Sequence, residues 1–162
     1  IYPGSWAWFP SASRELEQAM TGELWRRLAE WDSPSIDTAL DLVESDLAIL
    51  GIPPEKTVFA GFSQGSMMAL FLSLRKGGLG LVLWSSALVA RKRIQESAAM
   101  LPPAFQSHGR SDTVLSLESG RALTKVLEER GTSVDTLMFP GGHEISLEVC
   151  ARTKRYLASR LT

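Results

Sequence analysis

The stretch "TVFAGFSQGSMMALF", residues 57–71, places an apolar run, a serine between two glycines and a second apolar run in immediate succession. It predicts a buried strand, a sharp turn centred on Ser63, and a helix. "GFSQG" fits the G-x-S-x-G pattern of a turn that holds a serine hydroxyl above the end of its strand. Side chains at Gly61 and Gly65 are expected to collide with neighbouring backbone in so tight a turn. The backbone N–H of Gln64, in the first turn of the following helix, is then aimed where negative charge would develop on an attacked carbonyl. Small residues also make ordinary strand-to-helix connections, so these residues alone leave a plain turn open.

Outward from this turn the chain alternates between two patterns. Apolar runs at Val58 to Phe62, Leu79 to Trp84, Ala104 to Ser107 and Val134 to Phe139 predict strands buried on both faces. Helical periodicity follows at Gln64 to Arg75, around Ala90 to Met100, at Leu117 to Arg130 and at Glu144 to Leu161. Upstream, Leu16, Met20, Leu24, Leu28 and Trp31 recur at helical spacing over Arg14 to Trp31. Ser33 and Pro34 then open a helix with an apolar face of Ile36, Ala39, Leu40, Val43, Leu47 and Leu50, ended by Gly51. Parallel strands need crossover connections, so the expected class is α/β, a mostly parallel sheet flanked by helices. No repeat, low-complexity tract or linker divides the chain, and residues 1–162 read as a single domain.

A serine hydroxyl becomes a useful nucleophile only when a base takes its proton and a carboxylate orients that base. His143, in "FPGGHEI", follows the strand expected at Val134 to Phe139; Asp112, in "QSHGRSDTVL", follows the one expected at Ala104 to Ser107. Sites in open α/β sheets form at the carboxyl ends of strands, where all three residues fall. Their order along the chain is serine, aspartate, histidine. His108 is a rival base, although its place at a strand end beside Gly109 suits a packing or loop-bracing role. Glu144 is a rival orienter, but it adjoins His143 and neighbouring residues point in different directions. Cys150 falls on an apolar stripe with Leu147, Leu157 and Leu161 and is expected in the core.

The 162 residues carry a formal net charge of −1, with 44% apolar and 22% charged residues. That balance gives no electrostatic footprint for nucleic acid, and no apolar run approaches the roughly 20 residues of a membrane span. A single cysteine excludes an intrachain disulfide, and two distant histidines lack zinc-site spacing. The expectation is therefore no cofactor, no metal, no nucleic acid and no membrane span, with a cytoplasmic location.

Together the three motifs resemble the carboxylesterase, lysophospholipase and acyl-protein thioesterase branch of the α/β-hydrolases. The carriers are "GFSQGSMMAL" at 61–70, "SHGRSDTVL" at 107–115 and "FPGGHEI" at 139–145, supported by "LGIPPEKTVFAGF" and "SSALV". The resemblance implies a serine esterase or thioesterase with Ser63 as nucleophile, Asp112 as orienting acid and His143 as general base. "AWF" at 7–9 is similar to the family's Trp-Phe segment near the substrate groove, with Pro10 where the family usually has aspartate. No "HGLGD"-type loop stands upstream of it. The expectation is an N-terminally shortened sheet in which Gln64 is the one identified oxyanion donor.

An exposed sheet flank predicts self-association into a homo-oligomer or docking of a partner chain. A weakly active or non-catalytic domain that works by such binding is the alternative to a hydrolase. Trp6, Trp8, Phe9, Leu88 and Val89 fall near the expected mouth of the site. They point to an ester or thioester substrate with an apolar acyl group, or else belong to the core.

Overall fold

Ser33 lies in extended backbone, its Oγ accepts the Ser35 N–H at 3.3 Å, and Pro34 occupies the first helical turn. Cap chemistry thus sets where the helix over Pro34–Ile49 begins. The computed structural model describes Ala7, Trp8 and residues 25–161. Within them the order is α1 (Trp25–Glu30), α2 (Pro34–Ile49), a 3₁₀ turn (Pro54–Lys56), β1 (Val58–Phe62) and α3 (Gln64–Lys76). There follow β2 (Gly80–Trp84), α4 (Arg91–Glu96), β3 (Ala104–Gly109), α5 (Leu117–Glu129), β4 (Val134–Phe139) and α6 (Leu147–Ala158). Of the helix expected over Arg14 to Trp31, only the final turns lie among the described residues.

The four strands form one parallel sheet in the order β1-β2-β3-β4. Phe62 pairs with Trp84, Trp84 with Ser107 and Gly109 with Phe139, so the carboxyl ends form one rim. Alternation along the strands divides the core. Leu81, Leu83 and Ala104 pack on one face with apolar residues of α1 to α5, whereas Val82, Trp84 and Phe105 meet Val149 and Tyr156 of α6 on the other. Each large side chain buried in this way contributes roughly 1.5–3 kcal/mol.

Burial on both faces holds for β2 and β3 but not for the outer strands. Ala60 of β1 and Thr136 of β4 are exposed, since each of these strands has a described neighbour on one side only. Helix α4 is also shorter than its sequence pattern. It starts after Ala90, whose φ is +47°, and ends at Glu96, because the next residues run extended and present carbonyls to a cation. The Arg130 guanidinium donates to the carbonyls of Ile94, Ser97 and Ala99. A second ionic cluster ties three helices together: Arg75 of α3 meets Asp37, Asp41 and Glu44 of α2, and Arg93 of α4 meets Asp37 and Asp32.

The buried face of α6 is Val149, Thr153 and Tyr156, not the stripe expected through Cys150. Cys150 is exposed, as are Leu147 and Leu161. The helix starts at Leu147 and not at Glu144, because Ser146 Oγ accepts the Val149 N–H and caps it there.

Candidate active site

Ser63 stands between β1 and α3 with φ +55° and ψ −123°, a conformation that costs a non-glycine residue on the order of 1–3 kcal/mol. Neighbouring backbone holds it there. Its N–H donates to the Trp84 carbonyl at 2.9 Å, and its carbonyl accepts the Ser66 N–H at 3.0 Å and the Ser66 hydroxyl at 2.5 Å. A Cβ on Gly61 would lie 2.1 Å from the Gly65 carbonyl oxygen, so position 61 admits only glycine. The collision expected at Gly65 itself does not occur, the nearest contact to a Cβ there being Trp8 Nε1 at 3.9 Å. What the turn uses of Gly65 is its backbone, pressed against Gly61.

Gln64 is the first residue of α3, and an N–H in that position has no partner within its helix. Its side chain has a separate task, accepting the Trp8 backbone N–H on Oε1 at 2.8 Å. The role expected of Gln64 was that of its backbone N–H alone. Trp8 is 47% exposed, neighbours Gly65, and lines an apolar groove of about 370 Å³ together with Val43, Leu47, Ala60, Met68 and Leu72.

Asp112 and His143 reach each other because their two loops are laced by backbone hydrogen bonds. The N–H of Arg110 donates to the Phe139 carbonyl and that of Ser111 to the Gly141 carbonyl, each at 2.9 Å. The strands must approach closely for this, and a Cβ on Gly109 would meet the Gly142 and Gly141 carbonyl oxygens at 2.1 and 2.4 Å. Asp112 Oδ1 accepts the N–H groups of Val114 and Leu115 at 2.8 and 2.9 Å. Its Oδ2 lies 2.8 Å from His143 Nδ1. A carboxylate only accepts, so Nδ1 carries the proton and Nε2 is left with its lone pair for a proton from elsewhere.

The His143 ring lies 4.7 Å, centroid to centroid, from that of Phe62, the residue immediately before Ser63. This contact, absent from the sequence reading, seats the imidazole beside the elbow; its only signal was the place of Phe62 within "GFSQG". The structure's hydrogen bonds join His143 to Asp112 but not to Ser63. Glu144, the rival orienter, turns its carboxylate back toward Gly141, where a Cβ would meet Oε1 at 2.6 Å. His108, the rival base, is buried with Nε2 2.9 Å from the Leu115 carbonyl oxygen. Leu88 and Val89 lie in the core, and Leu88 offers no surface to a ligand. Trp6 and Phe9 lie outside the described residues.

The phospholipase/carboxylesterase family model matches residues 2–160. The chain belongs to this family. It is 31% identical to acyl-protein thioesterase 1 of Neurospora crassa over 132 residues, which cover 75% of this chain and 52% of that protein. It is 27% identical to lysophospholipase-like protein 1 of Mus musculus, over 68% of this chain and 49% of the relative. The chain therefore spans about half the length of the curated relatives it matches. Among solved structures, esterase PE8 superposes with a TM-score of 0.78 at 27% identity, covering 98% of this chain and 72% of that one. SOBER1 of Arabidopsis thaliana does so at 0.68 with 26% identity, over 81% of this chain and 67% of the other. The fold is that of the α/β-hydrolases. Among the described residues no helix is long and apolar enough to cross a membrane.

Proposed function

We propose that the chain, as one domain over residues 1–162, is a serine carboxylic-ester hydrolase, an esterase or thioesterase that works through an acyl-enzyme. The observation that carries this reading is the His143–Asp112 pair seated beside the strained Ser63 elbow. In the first half-reaction His143 Nε2 takes the Ser63 proton while Oγ forms a bond to the substrate carbonyl carbon. The carbonyl electron pair moves onto oxygen, toward the Gln64 N–H. Collapse of that oxyanion expels the alcohol or thiol, which leaves with the proton from His143. Water then repeats the sequence on the acyl-Ser63 ester, releasing the acid and restoring the serine. No cofactor is needed at any step.

The relatives' names, acyl-protein thioesterase and lysophospholipase-like protein, support an ester or thioester with an apolar acyl group as the substrate class. The nearness of Trp8 to Gly65 supports its contact with such a group. The proposed location is cytoplasmic. A fluorophosphonate probe tests the nucleophile: Ser63 is expected to label in the folded protein, and Ser63→Ala is expected to abolish both labelling and hydrolysis of a short p-nitrophenyl ester. Undiminished turnover by Ser63→Ala would sink the assignment.

A second reading is favoured by one observation, the exposure of Ala60 in the middle of β1 beside the apolar groove. A domain of this kind would associate with itself or with a partner through that flank and hydrolyse little. Sedimentation separates the readings, since an active monomer removes the motive for the second.

A further inference from the structure

We propose that His108 is a positioning residue for the Asp112–His143 pair, its buried imidazole fixing the turn that carries Asp112. The inference rests on reading Ser63, Asp112 and His143 as a catalytic triad.

His108 lies on β3 opposite Met138 and has no solvent exposure. Its Nε2 is 2.9 Å from the Leu115 carbonyl oxygen. A carbonyl oxygen only accepts, so Nε2 carries a proton and donates it. The Leu115 N–H in turn donates to Asp112 Oδ1 at 2.9 Å, and the same His108 Nε2 stands 3.5 Å from Asp112 Oδ2. Ring, peptide and carboxylate thus close on one another. The loop from β3 to α5 is held at Leu115 from the inside of the protein, and Asp112 is held by Leu115.

The other ring nitrogen shows that space-filling alone does not account for the residue. Among the described residues His108 Nδ1 is buried without a hydrogen-bond partner, and it faces Gly120 of α5, where a Cβ would come within 2.6 Å of it. Leaving a buried polar atom unpaired is unfavourable, and an aliphatic or phenyl side chain would fill the site without that penalty. Such a side chain would lack the donor to Leu115. The imidazole brings that donor at the expense of an orphaned nitrogen, and the missing side chain at position 120 makes room for it.

The test compares His108→Leu, which removes the donor, with His108→Gln, which keeps an N–H donor. For a short p-nitrophenyl ester, misplacement of Asp112 is expected to lower kcat in His108→Leu by roughly 10- to 100-fold. KM should stay within about twofold, and His108→Gln should recover most of the loss in kcat. The proton NMR resonance of the His143–Asp112 N–H provides a readout independent of turnover. It is expected far downfield in the parent protein and in His108→Gln, and broadened or lost in His108→Leu. Should His108→Leu fail to fold, Gly120→Ala crowds the same ring from α5 and is expected to lower kcat in the same way. An unchanged resonance and kcat in a folded His108→Leu or Gly120→Ala protein overturns the inference, as does equal loss of kcat in His108→Gln. Failure of the parent protein to label at Ser63 instead overturns the triad reading, and the resonance still reports on His108.

Discussion

His143 Nδ1 lies 2.8 Å from Oδ2 of Asp112, whose side chain has no solvent exposure. The carboxylate also takes the N–H groups of Val114 and Leu115 on its other oxygen, so it is oriented before any substrate arrives.

Asp112→Asn keeps this shape but replaces one carboxylate oxygen with an N–H donor, which favours the imidazole tautomer protonated at Nε2. In that tautomer His143 cannot accept the serine proton. We expect kcat to fall by about 10³- to 10⁴-fold with little change in KM or melting temperature, measured by steady-state kinetics and calorimetry.

Gly109→Ala separates the loops without touching a reacting group. The new methyl would meet the Gly142 and Gly141 carbonyls, and the relief open to it is displacement of the loop that bears His143. Hydrolysis is expected to drop at least tenfold, with a loss of about 1–3 kcal/mol in stability by urea denaturation. Parent-like kinetics would show that the loop yields without moving His143.

Tyr156→Phe probes the opposite end of the sheet. Burial pushes the Tyr156 phenol above its ordinary range, so it stays protonated and donates to the Pro103 carbonyl while accepting the Leu81 N–H at 3.1 Å. Loss of the hydroxyl is expected to cost about 1–2 kcal/mol in denaturant unfolding. Hydrolysis should be unchanged, because these contacts lie at the amino ends of the strands.

Asp37→Asn addresses stability in acid. Hydrogen bonds from Arg93 hold the Asp37 carboxyl below its ordinary range, against an opposing contribution from burial and with further help from Arg75. A depressed folded-state value means that the ionised group stabilises the protein above the unfolded-state value, and that this stabilisation disappears as pH falls through the folded-state value. The side chain is 43% exposed, so solvent screening keeps the effect at about 1 kcal/mol or less. The variant should be less stable than the parent at neutral pH, with the gap closing below about pH 4 and narrowing in added salt. A pH-independent gap would show that packing, not charge, is what the substitution removes.

The parallel sheet was legible because its residues are patterned locally: Val134–Phe139 and Val58–Phe62 coincide with apolar runs, and Ser33 caps the helix that follows it. Ser63, Asp112 and His143 were legible as residues at strand ends because parallel strands of similar length bring those ends to one rim. Less visible were properties that depend on which elements become neighbours. Leu147, Leu157 and Leu161 suggested a stripe through Cys150, but α6 lies on the sheet through Val149 and Tyr156, one step around the helix. Leu88 looked like a pocket residue beside the mouth, yet its N–H donates to Ser119 Oγ within the core. The extension of β3 to Gly109 follows from its pairing with Phe139, which no reading of either strand alone supplies.

Among the described residues His143 hangs from β4 and Ser63 from β1, the two outer strands of the sheet, but the Ser63 turn is tied by hydrogen bonds to Trp84 of β2 and Ser66 of α3. Border strands open in local fluctuations that require less free energy than unfolding the whole molecule. Fraying of β4 would carry the imidazole away while the serine keeps its backbone hydrogen bonds. In the proposed hydrolase, activity is therefore expected to be lost before the fold. On warming, ester hydrolysis should fade while the helical circular-dichroism signal persists, and turnover becomes a sensitive gauge of one hydrogen-bonded ladder.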